Sequence, residues 1–354
     1  MKTTHKTLSA VAMAASLSMT LSTSVLTGCM EQEEQPSDEV RQAVVPTGGT
    51  YYNGQGIYSM MEHEFGLAQS ADGWHLLGIK NGTNQVFAVF KLTTSGQPDQ
   101  DAQTQIMEAV AGTSRFDVYA LDAQNQGQTN VVLTLRNRSN NQIVTKSGDA
   151  LEGLLLKVTF PAGGPSGVFS MRLHKPAGLT GDPSLKGYSI DYWNDSNPSQ
   201  VSNYCSVTGG VAEPVVFVPG TKTHPLTASR TADSSFVDMS CASGGIVACM
   251  LWGYKPWSNG SAGPDLHQAC IQMKRAAYCG VEPYTQEGHT IYVRDSLNPQ
   301  INNGSGSTQE AYWGVSGALC LDNRRDTSVS FSGCTPSLPS CATVPSGWLL
   351  HNDF

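Results

Sequence analysis

The chain has 354 residues and a formal net charge of −8 at neutral pH. This charge repels nucleic acid and offers no basic patch to anionic lipid, so it excludes nucleic acid as an expected partner. The length exceeds the usual size of one domain and predicts two. Thirty-six glycines and only 14% charged residues are typical of a strand-rich exported protein.

The first 28 residues have the layout of an export signal. A basic start is followed by an uncharged run from Leu8 to Val25, and small residues precede Cys29. The tetrapeptide Leu26-Thr27-Gly28-Cys29 resembles the lipobox of bacterial lipoproteins. In that family the cysteine is lipidated and the peptide before it is removed. The resemblance therefore implies that residues 1–28 are a lipoprotein signal peptide and that Cys29 is the lipid attachment site.

The segment 29–49 predicts an acidic, flexible tether, because its start is rich in charge and poor in apolar residues. No later apolar run approaches the roughly 18 residues of a membrane span. We therefore expect contact with a membrane through the lipid anchor alone, and a location in the bacterial cell envelope at the outer membrane. The alternative is an ordinary secretory signal in which Cys29 is incidental. The sequence does not identify a ligand or a protein partner.

Residues 50–200 predict an antiparallel β-rich domain. Apolar residues alternate with other residues in several runs, as at Val131, Leu133 and Leu135, and strict alternation buries one face of a strand. Other alternating runs lie at 86–92, 154–160 and 168–173. Turn-forming residues separate the runs. We interpret this region as sandwich-like, with one short helix over Gln103–Val110.

Eight of the nine cysteines lie beyond residue 200. An even number in an exported protein predicts a disulfide framework. A zinc site is the alternative, but the separations run from 7 to 41 residues without a CxxC pair, so we predict neither a metal site nor a cofactor. The predicted disulfide cysteines are Cys205, Cys241, Cys249, Cys270, Cys279, Cys320, Cys334 and Cys341.

Residues 201–354 predict a second domain, α+β and rich in disulfides. Its clearest helix runs from Pro264 to Gly280, with an apolar stripe that includes Leu266, Cys270 and Met273. Pro264 suits the first helical position, and Gly280 suits a left-handed cap. The overall fold class is therefore α+β.

The predicted helix constrains the disulfides. Cys270 and Cys279 are nine residues apart, which separates them by about 13 Å along the helix axis. A disulfide needs Cα atoms within about 7 Å, so these two cannot bond each other, and the other pairings stay open. After the helix, alternation predicts a strand over His289–Asp295.

Several motifs of this half share an order and a spacing: Cys241–Cys249, Trp252–Trp257, Leu266–Cys270, Lys274–Gly280 and Glu310–Cys320. This arrangement resembles the ADYC-domain proteins, exported bacterial proteins found largely in myxobacteria. The family is named for an Ala-Asp-Tyr-Cys run that closes the helix. The resemblance implies kinship and an exported location, and it implies no particular reaction.

The chain departs from the family name at one position. The run reads Ala276-Ala277-Tyr278-Cys279, so Ala277 stands where the name has Asp. If that Asp were a catalytic acid in relatives, this protein would lack it. The alternative is that the Asp makes a structural contact near the helix end, which can be replaced at modest cost.

Four residues of the second half are candidates for ligand binding: Trp252, Tyr254, Trp257 and His267. Dense aromatic residues can stack on sugar rings, and a histidine can act as a general base or a ligand. The alternative is that the aromatic residues fill a core and that His267 is a hydrogen-bonded histidine at a domain surface.

A second aromatic group lies in the first half. Tyr188, Tyr192 and Trp193 occur close to Asp191 and Asp195. The same two interpretations apply to it, a surface for sugar rings or part of a core.

No nucleophile motif, zinc-protease motif, phosphate loop or dinucleotide fingerprint is present in the sequence, and we predict no catalytic residue. The favoured function is a cell-envelope lipoprotein that acts by binding or as a structural component. The alternative is a secreted hydrolase that acts on envelope or prey polymers, with His267 and either Asp265 or Asp295 as first candidates. A pocket with aromatic walls shared by His267 and a carboxylate would favour the hydrolase.

Overall fold

The computed structural model describes residues 50–52, 74–80, 86–92, 98–124, 130–159, 167–205, 207–208, 211–223, 228–242, 244–285 and 289–354. The predicted signal peptide, the tether and the lipid site at Cys29 lie outside the described residues. No helix in the described part of the chain is long and apolar enough to span a membrane.

Strands dominate the described residues. Their bounds are β1 Thr50–Tyr52, β2 Trp74–Lys80, β3 Val86–Leu92, β4 Pro98–Ala111, β5 Ser114–Gln124, β6 Asn130–Asn137, β7 Ile143–Ser147, β8 Leu154–Thr159, β9 Val168–Leu173, β10 Ala177–Leu179, β11 Asp182–Tyr188, β12 Ile190–Asn194, β13 Ser202–Asn203, β14 Val207–Thr208, β15 Val211–Ala212, β16 Val215–Thr223, β17 Arg230–Cys241, β18 Thr290–Asp295, β19 Gln309–Gly314, β20 Gly317–Leu321 and β21 Leu350–Asp353.

Two α-helices, α1 over Gly245–Leu251 and α2 over Gly263–Arg275, are present in the same residues. Short 3₁₀ helices cover Gly148–Leu151 and Gly260–Ala262. Helices and antiparallel sheets thus occur together with disulfides in the C-terminal half, which confirms the predicted α+β class.

The strands form one large sheet and two smaller ones. The large sheet has 14 strands, whose main path runs β10-β11-β16-β17-β2-β3-β4-β8-β9-β12-β13, while β5, β6 and β7 continue from β4. A second sheet has the order β1-β18-β21-β19-β20, and β14 pairs with β15. Every strand pair in the described residues is antiparallel.

The alternating runs form the strands that they predict. In β6, Val131, Leu133 and Leu135 are fully buried while their neighbours are partly exposed. The other runs correspond to β3, β8 and β9, and the run before Asp295 to β18. The helix predicted over Gln103–Val110 is wrong, because this segment lies within β4 and pairs with β3, β5 and β8.

The buried side chains of the described residues form two main cores. The first core comprises Ala109, Phe116, Val131, Leu133, Leu135, Leu151, Leu154, Leu156, Met171, Leu173, Tyr188, Ile190, Tyr204, Cys205, Val215, Phe217, Met239 and Cys241. The second core comprises Leu179, Leu185, Val216, Val218, Ala228, Ala242, Ile246, Val247, Cys249, Met250, Leu251, Trp252, Tyr254, Leu266, Ala269, Cys270, Ile271, Met273, Ala276, Tyr278, Tyr284, Ile291, Val293, Ala311, Trp313 and Leu350.

Strand β16 belongs to both cores. Val215 and Phe217 enter the first core, and Val216 and Val218 enter the second, as expected for a strand whose successive side chains point to opposite faces. A strand buried on both faces reads as a continuous apolar run, which Val215 to Val218 form. The domain boundary predicted at residue 200 stays a prediction, and strand β11 before it pairs with β16 after it.

Helix α2 is the centre of the second core. Leu266, Cys270 and Met273 are fully buried, as their spacing predicts, and the rest of the helix after Asp265 is buried too. The helix ends at Arg275 rather than at Gly280. The next residue, Ala276, takes the left-handed conformation with φ of 50°.

Two backbone hydrogen bonds close the end of helix α2. The N–H groups of Ala276 and Ala277 donate to the carbonyls of Met273 and Gln272, which satisfies groups that a helix end leaves free. Gly280 adopts the predicted left-handed conformation, with φ of 78°, but beyond the helix end, where a Cβ atom would collide with the carbonyl oxygen of Ser316.

The eight cysteines beyond residue 200 form four disulfides, which confirms the predicted framework. The pairs are Cys205–Cys241, Cys249–Cys270, Cys279–Cys334 and Cys320–Cys341, with Cα separations between 5.1 and 5.9 Å. Cys270 and Cys279 have different partners, as predicted, although Cys279 lies beyond the end of helix α2. The Cys249–Cys270 bond joins helices α1 and α2 inside the second core.

Candidate functional site

A surface pocket of about 350 Å³ lies at the edge of the large sheet, where strand β12 ends. Phe169, Tyr192 and Trp193 supply its aromatic part. Tyr192 and Trp193 belong to the aromatic group that the sequence singled out. The pocket therefore contains two of the three aromatic residues predicted as a surface for sugar rings.

Strand pairing places these side chains. Phe169 lies opposite Asn194 in the β9–β12 ladder, and Ser202 of β13 lies opposite Tyr192. Since alternate residues of a strand share a face, Tyr192 and Asn194 point to the same side. Phe169 and Tyr192 also pack against the first core, which holds both rings in place from below.

The segment from Asn194 to Ser202 closes the pocket, and hydrogen bonds within it hold its shape. Asn194 accepts bonds at Oδ1 from the backbone N–H of Ser196, at 2.9 Å, and from its hydroxyl. The Asn197 side chain donates to Gln200 Oε1 at 2.9 Å. A loop braced in this way loses little conformational freedom when a ligand binds.

The charged neighbours of this site pair with one another. Asp195 accepts a bond from Lys157 at 2.6 Å and one from the Ser170 hydroxyl at 2.5 Å. The Arg172 guanidinium lies 4.9 Å above the Trp193 ring. One part of the Trp193 side chain therefore lines the pocket, and another part contacts the Arg172 guanidinium.

Asp191 takes part in a second set of pairs on the same side. His174 bonds to Asp191 at 2.9 Å and to Glu152 at 3.1 Å. Burial works to lower the pKa of His174, but the hydrogen bonds to both carboxylates outweigh it and raise the pKa above its ordinary value. Both ring nitrogens of His174 are therefore engaged by acids.

Tyr188, the third aromatic residue of this group, lies in the first core with no exposed surface. Its hydroxyl oxygen accepts a hydrogen bond of 2.8 Å from the backbone N–H of Val131. Burial raises the pKa of Tyr188 to about 12. The two interpretations of the group thus apply to different members, since Tyr188 fills a core while Tyr192 lines the pocket.

His267 is fully buried on helix α2, not at a domain surface. Its Nε2–H donates to the carbonyl of Ile246 at 2.8 Å, and its Nδ1 accepts from the Arg230 guanidinium. Burial, followed by the charge of Arg230, holds the pKa of His267 well below its ordinary value. The ring is therefore neutral and hydrogen-bonded at both nitrogens.

The aromatic candidates of the second half also belong to the second core. Tyr254 is fully buried, Trp252 is 7% exposed, and Trp257 is partly buried against the same core. The Tyr254 hydroxyl donates to Asp295 at 3.2 Å. Tyr254 offers no exposed ring face on which a sugar could stack. Ligand binding by this group stays a prediction.

The two acids proposed as partners of His267 lie in different surroundings. Asp265 is exposed in the first turn of helix α2. Asp295 is fully buried and accepts backbone N–H bonds from Leu297, Ile301 and Asn302, so it shapes the turn after β18. The pocket described above includes neither acid and does not include His267.

A buried polar network surrounds the run that closes helix α2. The Tyr278 hydroxyl donates to Glu310 at 2.7 Å, and Arg325 Nε lies 2.8 and 2.9 Å from the two Glu310 oxygens. The Arg325–Glu310 side chains are fully buried. Asn352 bonds to Glu310 and to Trp313, which extends the network to β19 and β21. These contacts give Tyr278 a structural role.

Burial, and then the Glu310 carboxylate, raises the pKa of Tyr278 above its ordinary value, so Tyr278 stays a donor. Cys279 bonds to Cys334. Ala277, between the helix end and the pair Tyr278 and Cys279, is fully buried. The Tyr and Cys of the run therefore fasten the helix end to the rest of the second core.

The described residues contain no group of three or more His, Cys, Asp or Glu side chains placed to hold a metal ion. Six residues of the pocket were not predicted from the sequence: Phe169, Asn194, Asn197, Gln200, Val201 and Ser202. The polar run Asn194–Gln200 directly after Tyr192 and Trp193 is the signal that could have found three of them.

Comparison with known proteins decides the family. The chain matches the ADYC domain over residues 148–327. It is a member of the ADYC-domain family. No curated protein and no solved structure matches the chain.

The family match starts earlier in the chain than the motifs that carry the sequence resemblance. The sequence resemblance begins at Cys241, whereas the match begins at residue 148 and so includes strands β8 to β13. All residues that line the pocket, from Phe169 to Ser202, lie inside the matched range. The pocket is therefore part of the ADYC domain itself.

Proposed function

We propose that this ADYC-domain protein is a lipid-anchored binding protein of the bacterial cell envelope, held at the outer membrane through Cys29. The observation that carries the binding role is the pocket between strand β12 and the segment that ends at Ser202. Its aromatic and carboxamide side chains suit recognition of a ligand, and small-ligand sites combine apolar walls with a few placed polar groups in this way.

The four disulfides support the proposed compartment. Disulfides persist in oxidising environments such as the periplasm and the cell surface, and they are rare in the cytosol. The Leu26-Thr27-Gly28-Cys29 run supports the anchor. A stably anchored protein needs more than one acyl chain, which the lipidated cysteine of a lipoprotein carries.

The burial of the candidate catalytic groups favours binding over the alternative, a hydrolase of envelope or prey polymers. A general base must come within about 3 Å of the proton that it removes. His267 is fully buried and donates and accepts hydrogen bonds within the core. Asp295 is engaged by backbone N–H groups. Neither group is placed to reach a polymer.

The binding role is tested by incubating the exported, lipidated chain with dye-labelled, insoluble envelope polymers. We expect the protein to sediment with the polymer while the dye stays in the pellet. Steady release of soluble dye would instead favour the hydrolase. Buffer without protein measures spontaneous release.

The anchor is tested by Cys29→Ser. We expect metabolic labelling with a fatty acid to mark the wild-type chain and not the variant, and we expect the variant to leave the membrane fraction or to stall in processing. Cys205→Ser is the matched control, since it removes another cysteine and leaves Cys29 intact. Equal labelling of wild type and Cys29→Ser would contradict the proposed anchor.

A further inference from the structure

We infer that the pocket at the end of strand β12 binds an uncharged saccharide, and this inference rests on the proposed binding function. The pocket brings the aromatic side chains of strands β9 and β12 together with the carboxamide groups of the segment that follows β12.

The described residues that line the pocket include no Asp, Glu, His, Lys or Arg. Its eight residues are Phe169, Tyr192, Trp193, Asn194, Asn197, Gln200, Val201 and Ser202. The nearby charges of Asp195 and Lys157 are 2.6 Å apart and neutralise each other. A charged ligand would lose hydration on entry without meeting an opposite charge. The lining therefore favours a neutral ligand.

The aromatic part of the lining suits a sugar ring. One face of a hexose presents C–H groups, which pack on an aromatic ring, while hydroxyl groups surround its edge. The Tyr192 ring is partly exposed and rests on the first core, as does Phe169. Rings that are held from below keep their positions before the ligand arrives, which lowers the entropic cost of binding.

The polar part of the lining suits hydroxyl groups. A carboxamide both donates and accepts hydrogen bonds, as a hydroxyl does. The Gln200 Oε1 atom accepts from Asn197, and the Nε2 group of the same side chain can donate to ligand oxygens. Gln200 and Ser202 are exposed at the pocket, so a ligand can reach them.

The volume limits the ligand. At about 350 Å³ the pocket lies at the lower end of the range of roughly 300–1,000 Å³ for small-ligand sites. We therefore assign it one or two sugar units, either as a free saccharide or as the exposed end of a longer glycan. The pocket opens to solvent beside Val201, which is 52% exposed.

The experiment measures binding of the full, lipidated chain to immobilised oligosaccharides, in a detergent without a sugar headgroup. The neutral probes are triacetylchitotriose, maltotriose and cellotriose, and sialyllactose is the acidic probe. We expect at least one neutral probe to bind and sialyllactose to be left unbound. Titration calorimetry then measures the Kd of the best neutral probe.

Two pairs of variants locate the site. Tyr192→Leu removes the ring, and Tyr192→Phe keeps it. Val201→Arg places a long side chain at the opening, and Val344→Arg makes the same change at a valine of similar exposure, 54%, outside the pocket. We expect Tyr192→Leu and Val201→Arg to raise the Kd by about tenfold or more, a clear change in binding free energy. Tyr192→Phe and Val344→Arg should change it less than about threefold.

The outcomes separate this inference from the proposed function. If all four variants bind a neutral probe equally well, the pocket is not the saccharide site, although the proposed binding function still holds. Two results would contradict an uncharged saccharide as the ligand. One is binding of sialyllactose alone, and the other is binding of no saccharide by a chain that still sediments with envelope polymers. Failure to bind either saccharide or envelope polymer would overturn both. Because Val201 and Val344 are exposed, their variants keep the test valid even if Tyr192→Leu unfolds the chain.

Discussion

The first and second cores differ in whether they enclose charged side chains. The first core is made of apolar side chains from alternating strands, with one disulfide between Cys205 and Cys241. The second core encloses an ion pair, Glu310 with Arg325, and it has neutral histidines such as His267 around it. Polar residues with catalytic potential thus serve as scaffold in the second core, while the aromatic residues Phe169 and Tyr192 of the pocket pack against the first core.

The largest expected effect on the free energy of unfolding comes from the buried ion pair of the second core. We expect Arg325→Met to lower the free energy of unfolding by about 3–5 kcal/mol, because it leaves the Glu310 carboxylate buried without its cation. The control is Arg115→Met, since Arg115 is 65% exposed and pairs with Glu108 at 2.8 Å. Exposed pairs contribute about 0–1 kcal/mol.

Urea unfolding with the disulfides intact measures the free energy of unfolding of both variants. Equal losses for Arg325→Met and Arg115→Met would show that burial does not distinguish the two pairs. The double variant Arg325→Met with Glu310→Gln should recover part of the loss, because it removes the unpaired charge.

The neutral histidines predict loss of stability in acid. Burial, and next the charge of Arg230, keeps the pKa of His267 low, and burial lowers the pKa of His351 to about 4. The unfolded chain binds these protons below about pH 6.5, before the folded protein does. Their contribution to stability is therefore complete above that pH and is lost as the pH falls.

Two such groups give a slope of up to about 2.7 kcal/mol per pH unit between pH 6.5 and 4. Urea midpoints across this range measure the slope. His267→Gln should reduce the slope, whereas a slope that His267→Gln leaves unchanged would contradict a neutral, buried ring.

His174, beside the first core, should show the opposite and smallest effect. Its pKa is raised by its bonds to Asp191 and Glu152, despite burial, so its contribution to stability is complete below about pH 6.5. That contribution is lost as the pH rises through the raised pKa. We expect a change below about 1 kcal/mol, since the group is partly exposed.

Direct titration of the His174 ring by NMR measures its pKa, and His174→Gln should remove the small decline of stability at higher pH. A measured His174 pKa below 6.5 would contradict the predicted decline of stability at higher pH.

Local patterns predicted the elements whose signals lie within one stretch of chain. Alternation found β6, β8 and β18, and the apolar spacing around Cys270 found helix α2. Gln103–Val110 failed because its Gln, Met, Glu and Ala favour a helix locally, while pairing with three other strands overrides that preference.

Contacts between distant segments could not be predicted from the sequence. The network that joins Tyr278, Glu310, Arg325 and Asn352 depends on how α2, β19 and β21 pack. The pocket likewise depends on the return of the chain to strand β12 at Ser202. Composition pointed to Tyr192 as an aromatic candidate, but it could not separate this partly exposed residue from Trp193, Trp252 and Tyr254, which are buried.

The proposed binding role of the pocket and the structural role of His267 can be tested in one experiment. It compares His267→Gln with Tyr192→Leu, measuring for each the unfolding midpoint in urea and the fraction of protein that sediments with insoluble envelope polymer. We expect His267→Gln to unfold at lower urea and to keep its binding at neutral pH, whereas Tyr192→Leu should keep more of its stability and lose binding. Loss of binding by folded His267→Gln, with binding by Tyr192→Leu intact, would contradict both roles.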